Sequence, residues 1–305
     1  ADFDRYWASA AAYPAHRILP PPPPGRLEML PREAAEMHAA PLARCYAEAV
    51  GTGIVEKLVA GDLPLEWAKA TVMSDDPAKA FGTVSDAALL GPRLATAIGQ
   101  PKSHLGLVSA YFVPTAAGTR ALVAMAATCP DIQVMTNSLR ASDQGVVHCG
   151  YAPCRKPLLA AGIRLWEMKG NDPNSKVRLH FRKPRAGAPR GTILRSSGSA
   201  LHAKTFTVDR QRLFIGSFNF DPRSLRLNTE MGMIIDSPVL AGHLQDMFAD
   251  TVAHIAYEVR LAGHRLEWIE RTDAGEIIHR HEPGTGPLQR LVMAALSHLP
   301  MKWML

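Results

Sequence analysis

The sequence predicts an α/β sandwich built on a mixed or largely parallel sheet. Three observations carry that expectation. Runs rich in β-formers alternate with helical stretches of ordinary length between residues 104 and 167. Two further β-rich runs are joined by the polar, turn-like Asp209-Arg210-Gln211-Arg212, which is the pattern of a hairpin. Beyond them, Ser237-Pro238 is a helix start, with a hydroxyl cap and a proline in the first turn. With 305 residues, 47% hydrophobic and 20% charged, the chain can bury a sizeable core as one large domain or two smaller ones.

Taken in order, residues 1–17 read as a short helix with Phe3, Tyr6 and Trp7 on one side. Pro20 to Pro24, followed by Gly25, cannot be helix or central strand and reads as polyproline II, either a stiff connector or a ligand for a proline-recognising domain. Glu33 to Leu58 is mostly helical in pattern, and Pro64 to Ser74 reads as a strand running to the turn Asp75-Asp76-Pro77. A helix near Asp86–Ile98 is followed by a strand from His104 to Pro114, whose end opens onto a loop. Next come a helix at Thr119–Thr128, a strand at Ile132–Thr136, a long helix around Val146–Ala161 and a strand at Arg164–Glu167. Pro184–Gly198, rich in Arg, Gly, Pro and Ser, reads as a mobile loop. After Ser237, residues Leu240, Leu244, Met247, Phe248 and Ile255 fall at helical spacing and should pack on the core. Leu288 to Leu305 is apolar but interrupted by charges, and either touches a membrane interface or packs on its own domain.

The excess of 34 basic over 28 acidic residues, +6 with a pI near 9.3, favours anionic partners without separating nucleic acid from an acidic lipid surface. No run reaches the roughly 18 apolar residues of a membrane-spanning helix. The chain opens Ala1-Asp2-Phe3 without an initiator Met or an apolar leader, so any targeting segment would lie upstream. The cysteines Cys45, Cys129, Cys149 and Cys154 form no CxxC pair. His148, Cys149 and Cys154 lack a fourth ligand at zinc spacing, so no metal is expected.

The chemistry concentrates in Leu201-His202-Ala203-Lys204-Thr205-Phe206-Thr207-Val208-Asp209. Residues two apart on a strand share a face, so His202 and Lys204 should project together. Leu213 to Asn219 reads as the returning strand, bringing Ser217 and Asn219 back beside them. Such a set suits a phosphate: Lys204 supplies charge and Asn219 a neutral donor for the non-bridging oxygens of a five-coordinate transition state. A neutral His202 can attack phosphorus and form a phosphohistidine. Its other nitrogen must then carry a proton and be held, and Glu230 is a candidate to accept that hydrogen bond. Plainer readings exist: lone histidines are common in cores, and Ser217 and Asn219 suit turns. Lys204 on the same face makes a core role for His202 poor, because an unpaired buried ammonium is costly. Asp209 differs in strand parity from His202 and reads as a turn-fixing residue. His148, Tyr151 and Arg155, on a helical stretch, either face the substrate or lie on the surface.

His202-x-Lys204-x4-Asp209 followed by Gly216-Ser217-x-Asn219 resembles the HKD motif of the phospholipase D superfamily. The stretch Gly216 to Ser224, with Asn228-Thr229-Glu230, resembles the bacterial cardiolipin synthase branch and its phospholipase D-like relatives. So do Ser109-Ala110-Tyr111-Phe112-Val113-Pro114, Thr136-Asn137-Ser138-Leu139 and Pro300 to Leu305. The resemblance spans nearly the whole chain and implies a mixed β-sheet flanked by helices on both faces. It implies His202, Lys204, Asp209 and Glu230 as the catalytic set and Lys204, Ser217 and Asn219 as phosphate ligands, with no cofactor or metal.

Members of this kind carry two HKD motifs, and one is found here. Phe3-Asp4-Arg5-Tyr6-Trp7 resembles the stretch just after the first motif in those enzymes. Residues 1–85 are therefore expected to be the remnant of an N-terminal half, with a proline-rich connector at 20–25, and residues 86–305 the C-terminal HKD domain. Displacement at phosphorus is in-line, and one imidazole cannot attack on one side while protonating the leaving alkoxide on the other. A second histidine must come from a missing segment, a partner chain or a homodimer, as in the small single-motif nucleases of the superfamily. The resemblance implies phosphatidyl transfer of the cardiolipin synthase kind, with phosphatidylglycerol as substrate, or phospholipase D hydrolysis where water resolves the intermediate. A homodimeric phosphodiesterase or nuclease, and a fragment that binds anionic surfaces without cleaving, stay open as other readings. The resemblance also implies a bacterial protein, peripheral at the inner membrane and soluble as this chain.

Overall fold

The computed structural model describes residues 2–39, 54–63, 65–142, 144–170 and 201–297. It divides into two compact units between Trp67 and Ala68.

The first unit holds α1 (Asp2–Trp7), α2 (Ala15–Ile18), α3 (Arg26–Ala39) and α4 (Ile54–Ala60). The single helix expected over 1–17 is thus two, separated by a turn that ends at Pro14, whose fixed φ of −57° sets the start of α2. Phe3 and Trp7 stack with ring centroids 5.8 Å apart. Residues 20–23 lie outside helix and strand, as five successive prolines require. The helix expected from Glu33 begins earlier, at Arg26.

The second unit is built on a ten-stranded sheet: β1 (Lys69–Ser74), β2 (His104–Ser109), β3 (Asp131–Asn137), β4 (Arg164–Met168), β5 (Lys204–Val208), β6 (Arg212–Gly216), β7 (Met231–Asp236), β8 (Ala256–Ala262), β9 (Arg265–Thr272) and β10 (Gly275–His279). Their order is β1-β7-β6-β5-β2-β3-β4-β8-β9-β10. β2, β3 and β4 are parallel and every other pairing is antiparallel, so the sheet is mixed. The helices are α5 (Leu90–Ile98), α6 (Thr115–Ala126), α7 (Gly145–Tyr151), α8 (Arg155–Ala160), α9 (Pro222–Arg226), α10 (Pro238–Asp250), α11 (Val252–Ile255) and α12 (Pro287–Ser297).

The period of two in the central strands sorts their side chains between two cores. Leu105, Leu107, Ile132, Val134 and Leu165 pack on one face with Leu90, Leu94, Leu122 and Leu158 from α5, α6 and α8. Val108, Met135, Trp166 and Met168 pack on the other with Phe248 and Val252 from α10 and α11. Helices therefore cover both faces, the α/β/α sandwich the sequence implies. Cover is incomplete at one end: Val72, Ile215 and Met233, cross-strand neighbours on β1, β6 and β7, are 53%, 49% and 39% exposed.

Several expected elements differ in extent. β1 begins at Lys69, because only residues 69–74 have β7 beside them. That pairing ties β1 to the sheet, and the boundary between the two compact units falls after Trp67. The strand from His104 stops at Ser109, where the hydroxyl bonds to Tyr111 O at 2.9 Å and turns the chain. The long helix over 146–161 is broken into α7, a 3-10 turn at Ala152–Cys154 and α8; Pro153 and Pro157 lack the N–H that a continuous ladder needs. β7 to β10 go beyond the elements the sequence predicts, although Tyr257 to Leu261 and Leu266 to Trp268 alternate apolar and polar residues around Gly263 at φ 59°. Pro184–Gly198 and residues 298–305 lie outside the described residues.

A buried polar cluster joins the break in the helix to β4 and the segment after β10. Arg155 Nε lies 2.8 Å from Glu167, and Arg155 Nη1 donates to Glu282 at 2.6 Å. His148 Nε2 sits 2.9 Å from the same Glu282 oxygen, and Trp268 Nε1 donates to Glu167 at 2.8 Å. Burial alone would raise the Glu282 carboxyl, but His148 and Arg155 hold it down at about 2. With a folded-state value below the ordinary 4.5, its stabilisation is present above about pH 4.5 and lost as pH falls toward 2. Thermal melting of wild type against Glu282→Gln should therefore show a gap that is widest near neutrality and closes across that window; a gap that stays constant down to acid pH would rule out this linkage.

Candidate active site

One edge of the sheet collects the groups that matter. β2 ends there at Ser109, opposite Lys204 at the start of antiparallel β5. Asn137 ends β3 at that edge, Gly216 ends β6 opposite Gly232 of β7, and β1 ends at Ser74 opposite Met231. The connecting loops therefore gather over a single line of strand ends, a common place for a binding crevice in open α/β sheets.

His202 is exposed and lies two residues before β5 rather than within it. A side chain from β3 fixes its backbone. Asn137 Oδ1 accepts the Leu201 N–H at 2.8 Å, and its amide nitrogen donates to the Leu201 and Ala110 carbonyls at 3.1 Å each. The Ala203 carbonyl in turn accepts the Ala110 N–H at 3.1 Å. Lys204 Nζ donates to His202 O at 2.9 Å and sits 3.4 Å from His202 Nδ1. The imidazole and ammonium do meet, though through this backbone turn and not as alternate residues of one strand. An Nδ1 facing an ammonium leaves the ring proton on Nε2; attack from Nε2 requires the opposite tautomer.

Because β6 ends at Gly216, Ser217 and Asn219 do not share a strand face either. Ser217 prolongs the β6–β7 ladder: its N–H bonds to Met231 O at 2.8 Å, and its hydroxyl accepts the Met231 N–H at 3.0 Å. A Cβ on Gly216 would run into Met231 O, and one on Gly232 into the Phe214 ring, so glycine is needed where the strands approach. Asn219 is buried in the following loop, with Oδ1 accepting the Tyr111 N–H at 3.3 Å. With the oxygen so engaged, the amide NH2 is the donor end of the side chain.

Glu230 is buried, and its Oε1 accepts the Ser224 hydroxyl at 2.8 Å rather than a proton from His202. Ser224 is a hub. Its Oγ also accepts the Asn219 N–H at 3.2 Å, its N–H bonds to Asp221 Oδ1 at 2.7 Å, and its carbonyl accepts Lys79 Nζ at 2.8 Å. Lys79 Nζ also lies 2.7 Å from Asp75, which accepts the Glu230 N–H at 3.0 Å and the Leu90 N–H at 2.7 Å. Burial pushes the Asp221 carboxyl up.

Asp209 stands at the far end of β5 from Lys204, at φ 52°. Its Oδ1 accepts the backbone N–H groups of Ser103 and His104 at 2.7 and 3.0 Å, and the Lys102 N–H reaches it at 3.0 Å. Burial would raise this carboxyl, but those N–H groups hold it below its ordinary value. The third member of the motif is thus separated by a whole strand from the first two. His148, Tyr151 and Arg155 face neither substrate nor solvent: all three are buried, in the cluster around Glu282. Among the described residues no three His, Cys, Asp or Glu side chains assemble as metal ligands.

The sequence assigns no role to Asp75, Lys79, Ser224 or Asn137. Asp75 and Lys79 do carry the i, i+4 spacing of an ion pair, but their burial comes only from the β1–β7 pairing.

The cardiolipin synthase, PLD-like domain matches residues 94–252. The chain belongs to this family of the phospholipase D superfamily. It is 39% identical to cardiolipin synthase C of Escherichia coli K12 over 305 residues, covering 100% of this chain and 62% of that protein. It is 26% identical to cardiolipin synthase A of Klebsiella pneumoniae over 255 residues, 84% of this chain and 37% of that protein. Among solved structures, Nuc of Salmonella typhimurium, a phospholipase D family member, aligns with a TM-score of 0.41 at 18% identity, covering 63% of this chain and 99% of Nuc. The chain spans less than two thirds of the length of these cardiolipin synthases.

Two substitutions separate positioning from chemistry. Asn137→Ala removes the grip on Leu201 and should abolish hydrogen-exchange protection of the Leu201 amide; unchanged protection would show that Asn137 does not hold this segment. Asp209→Ala should cost about 0.5–1.5 kcal/mol in denaturant unfolding, the net scale for hydrogen bonds whose donors water can reach; a midpoint within error of wild type would contradict its role as an anchor.

Proposed function

We propose that this chain is the half of a phosphatidyltransferase that carries His202, Lys204 and Asn219, cleaving a phosphodiester through a phosphohistidine. The observation that supports the reading most is the Lys204 ammonium, 3.4 Å from His202 Nδ1, at the line of strand ends where Asn219 also bonds to Tyr111, just past β2. An ammonium and a neutral N–H donor hold the non-bridging oxygens while charge grows in the transition state. The imidazole lies in the segment that Asn137 fixes. It bonds phosphorus as the alkoxide leaves, and the alkoxide takes a proton from a second histidine on the far side. That second group then deprotonates the incoming alcohol, which displaces His202 and restores it.

Identity of 39% to a cardiolipin synthase over this whole chain supports an anionic phospholipid substrate, with phosphatidylglycerol as donor and acceptor. The 62% coverage of that relative supports a second half outside this chain. The apolar patch of Val72, Ile215 and Met233 suits contact with such a half or with a second copy. Residues 1–85 are then the end of the first half. Among the described residues no helix is long and apolar enough to cross a membrane.

Turnover of phosphatidylglycerol to cardiolipin and glycerol by the protein carrying both halves tests this. His202→Ala should lower the rate by on the order of 10²–10⁴ and Lys204→Ala by a comparable factor. His202→Ala should also abolish 32P-labelling of the protein; label recovered on the other half instead would move the covalent intermediate to the histidine there. Cleavage of DNA with no lipid product would replace the lipid reading with a nuclease.

A further inference from the structure

A cavity of about 420 Å3 opens beside this edge, within the range of about 300–1,000 Å3 that holds small ligands. Its walls come from the start of α6, the broken helix at 149–157 and the end of α12. Val113, Ala116, Pro153, Pro157 and Leu296 make it largely apolar. The two cysteines that line it are free and buried, and burial pushes Cys149 up to about 11 and Cys154 upward as well, so both remain neutral thiols at physiological pH. One cation stands on its lining: Arg120, exposed and with no ion-pair partner among the described residues.

The cavity shares its wall with the phosphate clamp. Pro222, which lines it, is three residues from Asn219, and the Val113 N–H bonds to Phe220 O at 2.7 Å. A molecule whose phosphate reaches Asn219 thus has, two loops away, an apolar recess with a guanidinium at its rim. The ligand such a pair fits is an amphiphile with an anionic head and a hydrocarbon chain. Nucleic acid has no such chain to place there.

Resting on the reading of this protein as a phosphatidyltransferase, we propose that the cavity receives an acyl chain of the phospholipid whose phosphate is held at Lys204 and Asn219, with Arg120 turned to the anionic headgroup layer. Acyl length would then be sensed between α6 and the segment 149–157, apart from the reacting atoms.

The test uses the protein carrying both halves and a phosphatidylglycerol with a diazirine at the end of one acyl chain, in detergent micelles. After irradiation, adducts should concentrate on peptides covering Val113–Arg120 and Cys149–Pro157 and be competed by unlabelled dioleoyl-phosphatidylglycerol. Ala116→Trp, which fills the recess from an exposed helical position, should lower that yield by about tenfold or more, the scale for a pocket that no longer admits part of a chain. The wild-type map decides the matter even where the variant does not fold. Turnover of the lipid with adducts only elsewhere, such as on the Val72–Ile215–Met233 face, overturns the cavity assignment and leaves the transferase reading intact. Cleavage of bis(p-nitrophenyl) phosphate with neither turnover nor labelling by the lipid overturns both.

Discussion

The Lys79 ammonium lies 2.7 Å from Asp75 and 2.8 Å from the Ser224 carbonyl, with 1% of its side chain open to solvent. A charge so deep is tolerated only where every donor is met, and removing one partner of such a pair costs about 3–5 kcal/mol. Asp75 is as closely held, accepting from Leu90 and Glu230 as well as from Lys79. This pair fastens the end of β1, the start of α5, the approach to β7 and helix α9 into one block. Asn219 and Glu230 both hang from that block through Ser224. The support beneath Asn219 is therefore a buried ion pair and the hydrogen bonds around it.

The reacting side is organised differently. His202 and Lys204 are carried by a short segment whose backbone is held from β2 and β3, by Ala110 and Asn137. The loop after β2 reaches both sides: Ala110 bonds to Ala203 beside His202, and the Tyr111 N–H bonds to Asn219. The two segments are therefore tied to each other as well as to their own strands. In the mechanism proposed above, the proton donor must approach phosphorus from the side opposite His202.

Much of this is legible in the sequence, for identifiable reasons. The β-rich runs, the Asp209–Arg212 turn and the capped helix at Ser237 are local patterns, and each appears where period and capping chemistry put it. The cluster of His202, Lys204 and Asn219 is legible as a set of residue types, but not its geometry: parity arguments hold only inside a strand, and β5 begins at Lys204 while β6 ends at Gly216. Asp209, which local parity marks as a turn residue, does anchor its end of the strand, by contacts with residues a hundred positions away. The Asp75–Lys79 pair and the Arg155 cluster stay hidden, since burial of charge is a property of tertiary neighbours. His148 and Tyr151 on α7 and Arg155 on α8, read from sequence as facing substrate or surface, are instead buried, with Arg155 between two carboxylates.

Asn137 has one more consequence. By fixing the chain at Leu201, it separates the position of His202 from whatever lies between residues 170 and 201. A change made ahead of residue 201 accordingly reaches the imidazole only through Leu201, whose N–H and carbonyl both stay in the grip of one side chain.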